Sequence, residues 1–219
     1  MDIFGEQWID HHLKIEENWR RTVKDDDTVI LGGDLSWALK LEEAEEDLNY
    51  IHSLPGKKVL FKGNHDYWWQ SYAKVKEALP ENVFAVQNNY FPYEGGIALC
   101  GTRGWIVPGT ENFSEHDEKI YKRELNRLKL SLTEALKDGY RKFIVTLHYP
   151  PFTPWGEETG FVEIMRDFDV KICLYGHLHG VDEQKVVQGE IGPIRYYFTS
   201  CDYLQFSPIA IDVSVFDKV

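Results

Sequence analysis

Four short apolar runs each end in residues able to hold a cation or move a proton. Val29-Ile30-Leu31 runs into Gly32-Gly33-Asp34, and Val59-Leu60-Phe61 into Lys62-Gly63-Asn64-His65-Asp66. Ile144 to Leu147 runs into His148, and Ile172 to Tyr175 into Gly176-His177-Leu178-His179. A carboxylate, a carboxamide oxygen and several imidazoles make a mixed oxygen and nitrogen ligand set. Imidazole suits zinc, iron, nickel and copper, while carboxylate and carbonyl oxygens suit harder cations such as manganese. The set therefore points to a divalent transition metal rather than calcium. No cysteine stands among the candidate ligands, which argues against a structural zinc site. Any one of these motifs has a plainer reading. A lone Gly-Asp is usually a turn, and a lone histidine is usually a hydrogen-bonded structural residue. Four of them, each closing an apolar run, read as one cluster assembled from distant segments.

The spacing within the motifs carries further expectations. Gly33, Gly63 and Gly176 precede the ligands, where the absence of a Cβ permits a sharp turn out of a strand. If His177-Leu178-His179 stays extended, its two imidazoles face the same way. In Asn64-His65-Asp66 neighbouring side chains diverge. Asn64 can then ligate while His65 projects toward substrate, and Asp66 can hold the tautomer of that imidazole.

The elements that must position these residues alternate between strand and helix. Thr28–Leu31, Lys58–Phe61, Val83–Val86, Ile97–Leu99, Phe143–Leu147 and Val170–Tyr175 read as strands. Arg195–Thr199 and Ile209–Val215 read as β at the end of the chain. Leu39 to Leu54 reads as a helix broken by Pro55-Gly56. The clearest helix runs from Ser114, a plausible N-cap, to Asp138. Its apolar stripe is Tyr121, Leu125, Leu128, Leu132 and Ala135, and Gly139 is its stop. Val162–Phe168 reads as a further helix. Alternating strands and helices argue for a layered α/β fold, and in open α/β sheets ligands bind beyond the carboxyl ends of the strands.

Composition narrows the class. The 219 residues fit one domain spanning 1–219. Seven Trp, twelve Tyr and twelve Phe can bury a sizeable core, which excludes intrinsic disorder. No run approaches the roughly 18 apolar residues of a membrane span. Met1 to Asp10 shows neither a basic nor an apolar leader region, so the expected location is cytoplasmic. The net charge of −12 disfavours nucleic acid as a partner. Cys100, Cys173 and Cys201 read as reduced. Trp37, Tyr67, Trp68, Trp69, Trp105 and Trp155 surround the motifs. They read as rim or core packing in preference to a stacking wall for a nucleobase. Lys62, Arg103 and Arg195 are candidates to neutralise phosphate, though no spacing places any of them there.

Taken together, Gly33-Asp34, Gly63-Asn64-His65-Asp66, His148 and Gly176-His177-Leu178-His179 resemble the calcineurin-like metallophosphoesterases. More narrowly, Gly33-Asp34-Leu35-Ser36-Trp37, Leu54-Pro55-Gly56-Lys57-Lys58 and Asn64-His65-Asp66-Tyr67-Trp68-Trp69 look like a bacterial Icc-type phosphohydrolase group. The resemblance implies a four-layer αββα sandwich with up to two divalent ions (manganese, iron, zinc, nickel or cobalt) at one end of the sheets. It implies that Asp34 bridges both ions, that Asn64, His148 and His177 complete the second site, and that His179 joins the first. It implies attack of metal-bound hydroxide on a phosphomonoester or phosphodiester, a nucleotide among the candidates. His65 would be the general acid, helped by Asp66.

One departure from the resembled family stands at the N-terminus. Members open with an apolar strand ending in Asp-x-His, and no such strand precedes Asp34. Asp10-His11-His12 matches the letters but not the context. Phe4, Trp8, Ile9, Leu13, Ile15 and Trp19 read instead as the apolar side of a helix. The expectation is an internal or misassigned start at Met1, with the first strand missing. A competing expectation follows, a non-catalytic or one-metal scaffold of the same fold.

Overall fold

The computed structural model describes residues 5–182 and 186–217. Three strands, β1 (Thr28–Leu31), β2 (Lys57–Leu60) and β3 (Val83–Ala85), form a parallel sheet in the order β1-β2-β3. A second sheet contains β4 (Phe91–Tyr93), β5 (Ile97–Thr102), β6 (Lys142–Leu147), β7 (Ile172–Tyr175), β8 (Gly189–Ile191) and β9 (Ile194–Phe198). Its order is β4-β5-β6-β7-β9-β8, parallel at the centre and antiparallel at both edges. The helices are α1 (His11–Thr22), α2 (Glu45–Ser53), α3 (Tyr72–Ala78), α4 (Glu115–Lys137) and α5 (Gly160–Asp167).

Side-chain alternation along the strands builds the layers. Val59 and Phe61 meet Ile97, Leu99, Ile144, Ile172 and Leu174 between the sheets. The next residues along, Ala98, Cys100, Phe143, Val145 and Cys173, turn outward onto α4 and α5. Leu60, Val83 and Ala85 turn outward onto Ala44, Leu48 and Val75. A period of two in each strand thus separates three apolar layers and yields the αββα sandwich. Helix α4 begins at Ser114, whose side chain and that of Asp117 form a capping box. It buries Tyr121, Leu128, Leu132 and Ala135 and leaves Leu125 partly buried.

Several expectations need correction. The helix expected from Leu39 begins later, as a 3₁₀ turn Leu41–Ala44 that continues into α2. The Glu43 carboxylate accepts the N–H groups of Leu39 and Lys40, which closes the helix start there. The tail Ile209–Val215 forms no strand, although Ile211, Val213 and Val215 pack against the inter-sheet core. Asp212 accepts the Ser214 N–H and turns the chain into a 3₁₀ segment, Ser214–Asp217. Alternation selects a face, but a strand also needs a neighbour to pair with. The apolar side of α1 is only half realised. Trp8 and Trp19 are buried, Ile9 and Leu13 are exposed, and Phe4 lies outside the described residues. Asp10 stands at the N-cap position of α1 without a side-chain cap hydrogen bond, and His11 and His12 lie inside the helix, as the context of that segment suggested. Among the described residues β1 is the first strand in the chain, at an edge of its sheet.

Candidate metal centre

The sheets end in loops that cross within contact distance. A Cβ added to Gly33 would lie 2.5 Å from the Gly63 nitrogen, and one added to Gly63 would lie 2.1 Å from Asp34 Oδ1. Only glycine allows these two loops to touch. Gly176 differs, because a Cβ there would meet nothing closer than 3.6 Å. Two of the polar residues that follow, Asp34 (φ 57) and His177 (φ 73), hold left-handed backbone. Non-glycine residues adopt that conformation at a cost of order 1–3 kcal/mol, and it concentrates at functional sites.

His148 is the hub of the cluster. Its Nδ1 lies 2.9 Å from the Gly32 carbonyl oxygen. A carbonyl only accepts, so Nδ1 carries a proton and Nε2 faces the cluster. Around Nε2 stand Asn64 Oδ1 at 2.7 Å, His177 Nδ1 at 3.1 Å and Asp34 Oδ2 at 3.4 Å. Ligand atoms of Asp34, His148 and His177 all lie within 4.8 Å of one another. Burial, then the neighbouring His148, hold His177 down to about 4, so its ring is neutral at pH 7. Burial pushes the Asp34 carboxyl up, but His148 and the His65 N–H outweigh it and hold the group below its usual range. A carboxylate, an amide oxygen and two imidazole nitrogens converge within a few ångströms. The donor set fits a divalent cation.

The other expected site residues lie around this group. His179 stands outside this group. Its Nδ1 lies 2.8 Å from Asp202 Oδ1, and its ring meets the buried Trp8 edge-on at 5.1 Å. The left-handed backbone at His177 breaks the extended alternation that would have aimed both imidazoles alike. Asp66 makes no contact with the His65 ring. Its fully buried carboxylate accepts N–H groups from Asp34, Leu35, Ser36 and Gly63 and the Trp68 indole N–H, at 2.7–3.3 Å. Burial pushes that carboxyl up, opposed by the N–H groups of Gly63, Leu35 and Ser36. The His65 N–H donates to Asp34 Oδ1 at 2.8 Å, and its ring lies half-buried at the rim. Of the proposed phosphate partners, Arg195 pairs with Glu190 and Asp212, Arg103 lies beside Glu124, and the Lys62 ammonium donates to the Trp69 carbonyl. The aromatics divide: Trp68 and Trp69 are core, whereas Trp37, Tyr67 and Trp155 are exposed. Asp202 and Tyr149, whose ring lies 4.0 Å from that of His177, carried no signal in the sequence beyond adjacency to polar neighbours.

Comparison with known proteins accords with this geometry. Residues 6–181 match the profile of the calcineurin-like phosphoesterases. The chain belongs to that family. Phosphopantetheinyl hydrolase from Mycobacterium tuberculosis is similar in structure, with a TM-score of 0.53 and 14% identity over 83% of this chain and 82% of that one. TT1561 of Thermus thermophilus gives 0.53 and 17% over 87% and 83%. At such identities the likeness is one of fold. No protein of curated function matches the chain. Among the described residues no helix is long and apolar enough to cross a membrane. As a calcineurin-like phosphoesterase the chain is, in general terms, a metal-dependent phosphoester hydrolase with a group of side chains able to hold an ion.

Proposed function

We propose that this calcineurin-like phosphoesterase hydrolyses a phosphomonoester or phosphodiester through a single domain. Asp34, Asn64, His148 and His177 would hold one divalent transition metal ion, and His179 would contribute to a second. The observation that carries the reading is the convergence of three lone-pair donors on His148 Nε2, a ring whose tautomer the Gly32 carbonyl dictates. A bound divalent cation supplies Lewis acidity there, neutralising phosphoryl charge and acidifying water. The protein's own groups do the rest. The His65 backbone N–H on Asp34 ties the residue that carries the proposed acid to the ligand loop. From the rim its ring can protonate a departing oxygen. Asp202 pairs with His179 at Nδ1 and so orients that ring. The acidic chain supports a small phosphate ester, a nucleotide included, over a nucleic acid.

The test combines metal analysis with hydrolysis of p-nitrophenyl and bis-p-nitrophenyl phosphate in the presence of manganese. The wild-type chain should take up metal and turn over at least one ester. Asp34→Ala should lose metal and turnover together. His65→Ala should keep its metal and slow about 10²–10⁴-fold on esters with poor leaving groups. A chain that binds no transition metal and cleaves neither ester would sink the proposal. One retained ion without turnover would favour the non-catalytic scaffold.

A further inference from the structure

A general acid needs an oriented ring, and His65 lacks the carboxylate partner that its sequence neighbourhood suggests. Both Asp66 oxygens are taken up by N–H donors. The His65 imidazole instead contacts two aromatic rings. Trp37 stacks on it with centroids 5.5 Å apart and planes 22° apart, and Tyr67 meets it edge-on at 6.1 Å. Both aromatics are largely open to water, Trp37 at 52% and Tyr67 at 61% exposure, so the core does not account for them. Trp68 and Trp69, in the same segment, show the contrast by being buried.

The backbone that carries the two rings is firmly held. Asp66 binds the N–H groups of Leu35 and Ser36 just before Trp37, and the Ala38 N–H donates to Ser36 Oγ just after it. The Tyr67 N–H donates to the His65 carbonyl at 2.8 Å. One buried carboxylate thus organises both loops, and the loops bring two aromatic rings, one stacked and one edge-on, to the imidazole.

We propose that Trp37 and Tyr67 are positioning residues that clamp the His65 ring toward the leaving-group oxygen. The inference rests on the proposed phosphoesterase reading and on His65 as its acid. A loosely held ring would still carry a proton but would meet the leaving oxygen less often, which affects only reactions that need the proton.

The experiment compares esters by leaving group in Trp37→Ala, Tyr67→Ala and Trp37→Phe. p-Nitrophenyl phosphate, whose p-nitrophenolate leaves without protonation, is paired with glycerol 2-phosphate. Bis-p-nitrophenyl phosphate is paired with glycerophosphocholine in the same way. Trp37→Ala should lower kcat on the alkyl ester about tenfold, with KM unchanged, and change the aryl ester less than about twofold. Trp37→Phe should restore most of the loss. A raised KM for the aryl ester would make Trp37 a substrate-stacking surface and overturn the clamp. So would an equal fall on both esters. In the metal-free protein, Trp37→Ala should also move the His65 Cε1–H resonance downfield by removing a ring current, and an unmoved resonance would contradict the stack. A wild-type chain that cleaves no ester removes the phosphoesterase reading and the clamp with it. Wild-type turnover with no leaving-group dependence in the variants removes the clamp alone.

Discussion

Asp66 shows how a residue can carry a site without touching its chemistry. Five N–H donors converge on its two oxygens, an arrangement suited to a carboxylate. In Asp66→Asn one oxygen becomes an NH₂ that faces donors. The variant should lose about 2–3 kcal/mol in urea denaturation as well as turnover. A relay role confined to His65 would leave stability untouched, and that result would reject the structural account. Gly63 makes the same point through sterics. In Gly63→Ala the new methyl would sit 2.1 Å from Asp34 Oδ1, so the ligand loop must move. Metal uptake, measured by elemental analysis, should drop with turnover. Both motifs are legible in the sequence, but their division of labour is not. Asp66 follows His65 directly, and only the fold turns its side chain the opposite way, into the protein.

At the scale of elements, Lys58 joins α2 to the small sheet. It is fully buried in β2 and donates to the carbonyls of His52, Leu54 and Gly56, at and beyond the helix C-terminus. Burial pushes its ammonium down from the usual range. A positive group at a helix C-terminus satisfies carbonyls that the helix leaves orphaned. Lys58→Met should leave the Leu54 and Gly56 carbonyls short of a partner, the His52 carbonyl keeping Asn82, and cost about 2–3 kcal/mol, read from the denaturation midpoint. A midpoint within error of wild type would show that water replaces the ammonium. Long, strongly patterned elements such as α4 were legible, because a capping box, a 3.6-residue stripe and a stop glycine agree. The strands β4 and β8, three residues each, were not, because each pairs with only one neighbour and carries a breaker, Pro92 or Gly189. The tail failed for the opposite reason. Its alternation is real, but no ladder forms along it.

Across the whole molecule, the buried layers hold protons that the unfolded chain would release. Burial pushes Tyr149, Cys100 and Cys201 up to about 12 and carries Tyr175, Tyr196 and Cys173 upward as well. Their unfolded values are 9.0 for the thiols and 10.0 for the phenols. Between about pH 9 and pH 12 the folded state therefore binds more protons than the unfolded state, so stability falls as pH rises. It is fully present below that window. The urea midpoint should decline steadily above about pH 9. A midpoint that stays level to about pH 11 would show that these groups are more hydrated than their burial implies.

The chemistry was written in the chain itself. Which residue types close each apolar run, and in what order, is a local matter, because a strand and the turn after it are specified by adjacent residues. That sufficed to single out the residues that converge around His148, the layered α/β class and the main helices. Direction belonged to the tertiary structure. The left-handed backbone at His177 sends His179 to Asp202, the buried N–H donors claim Asp66 from His65, and the crossing of two glycine loops brings Asn64 and Asp34 to His148. Such outcomes depend on contacts between segments many residues apart. No spacing along one segment encodes where another will supply the donor, the ring or the clash.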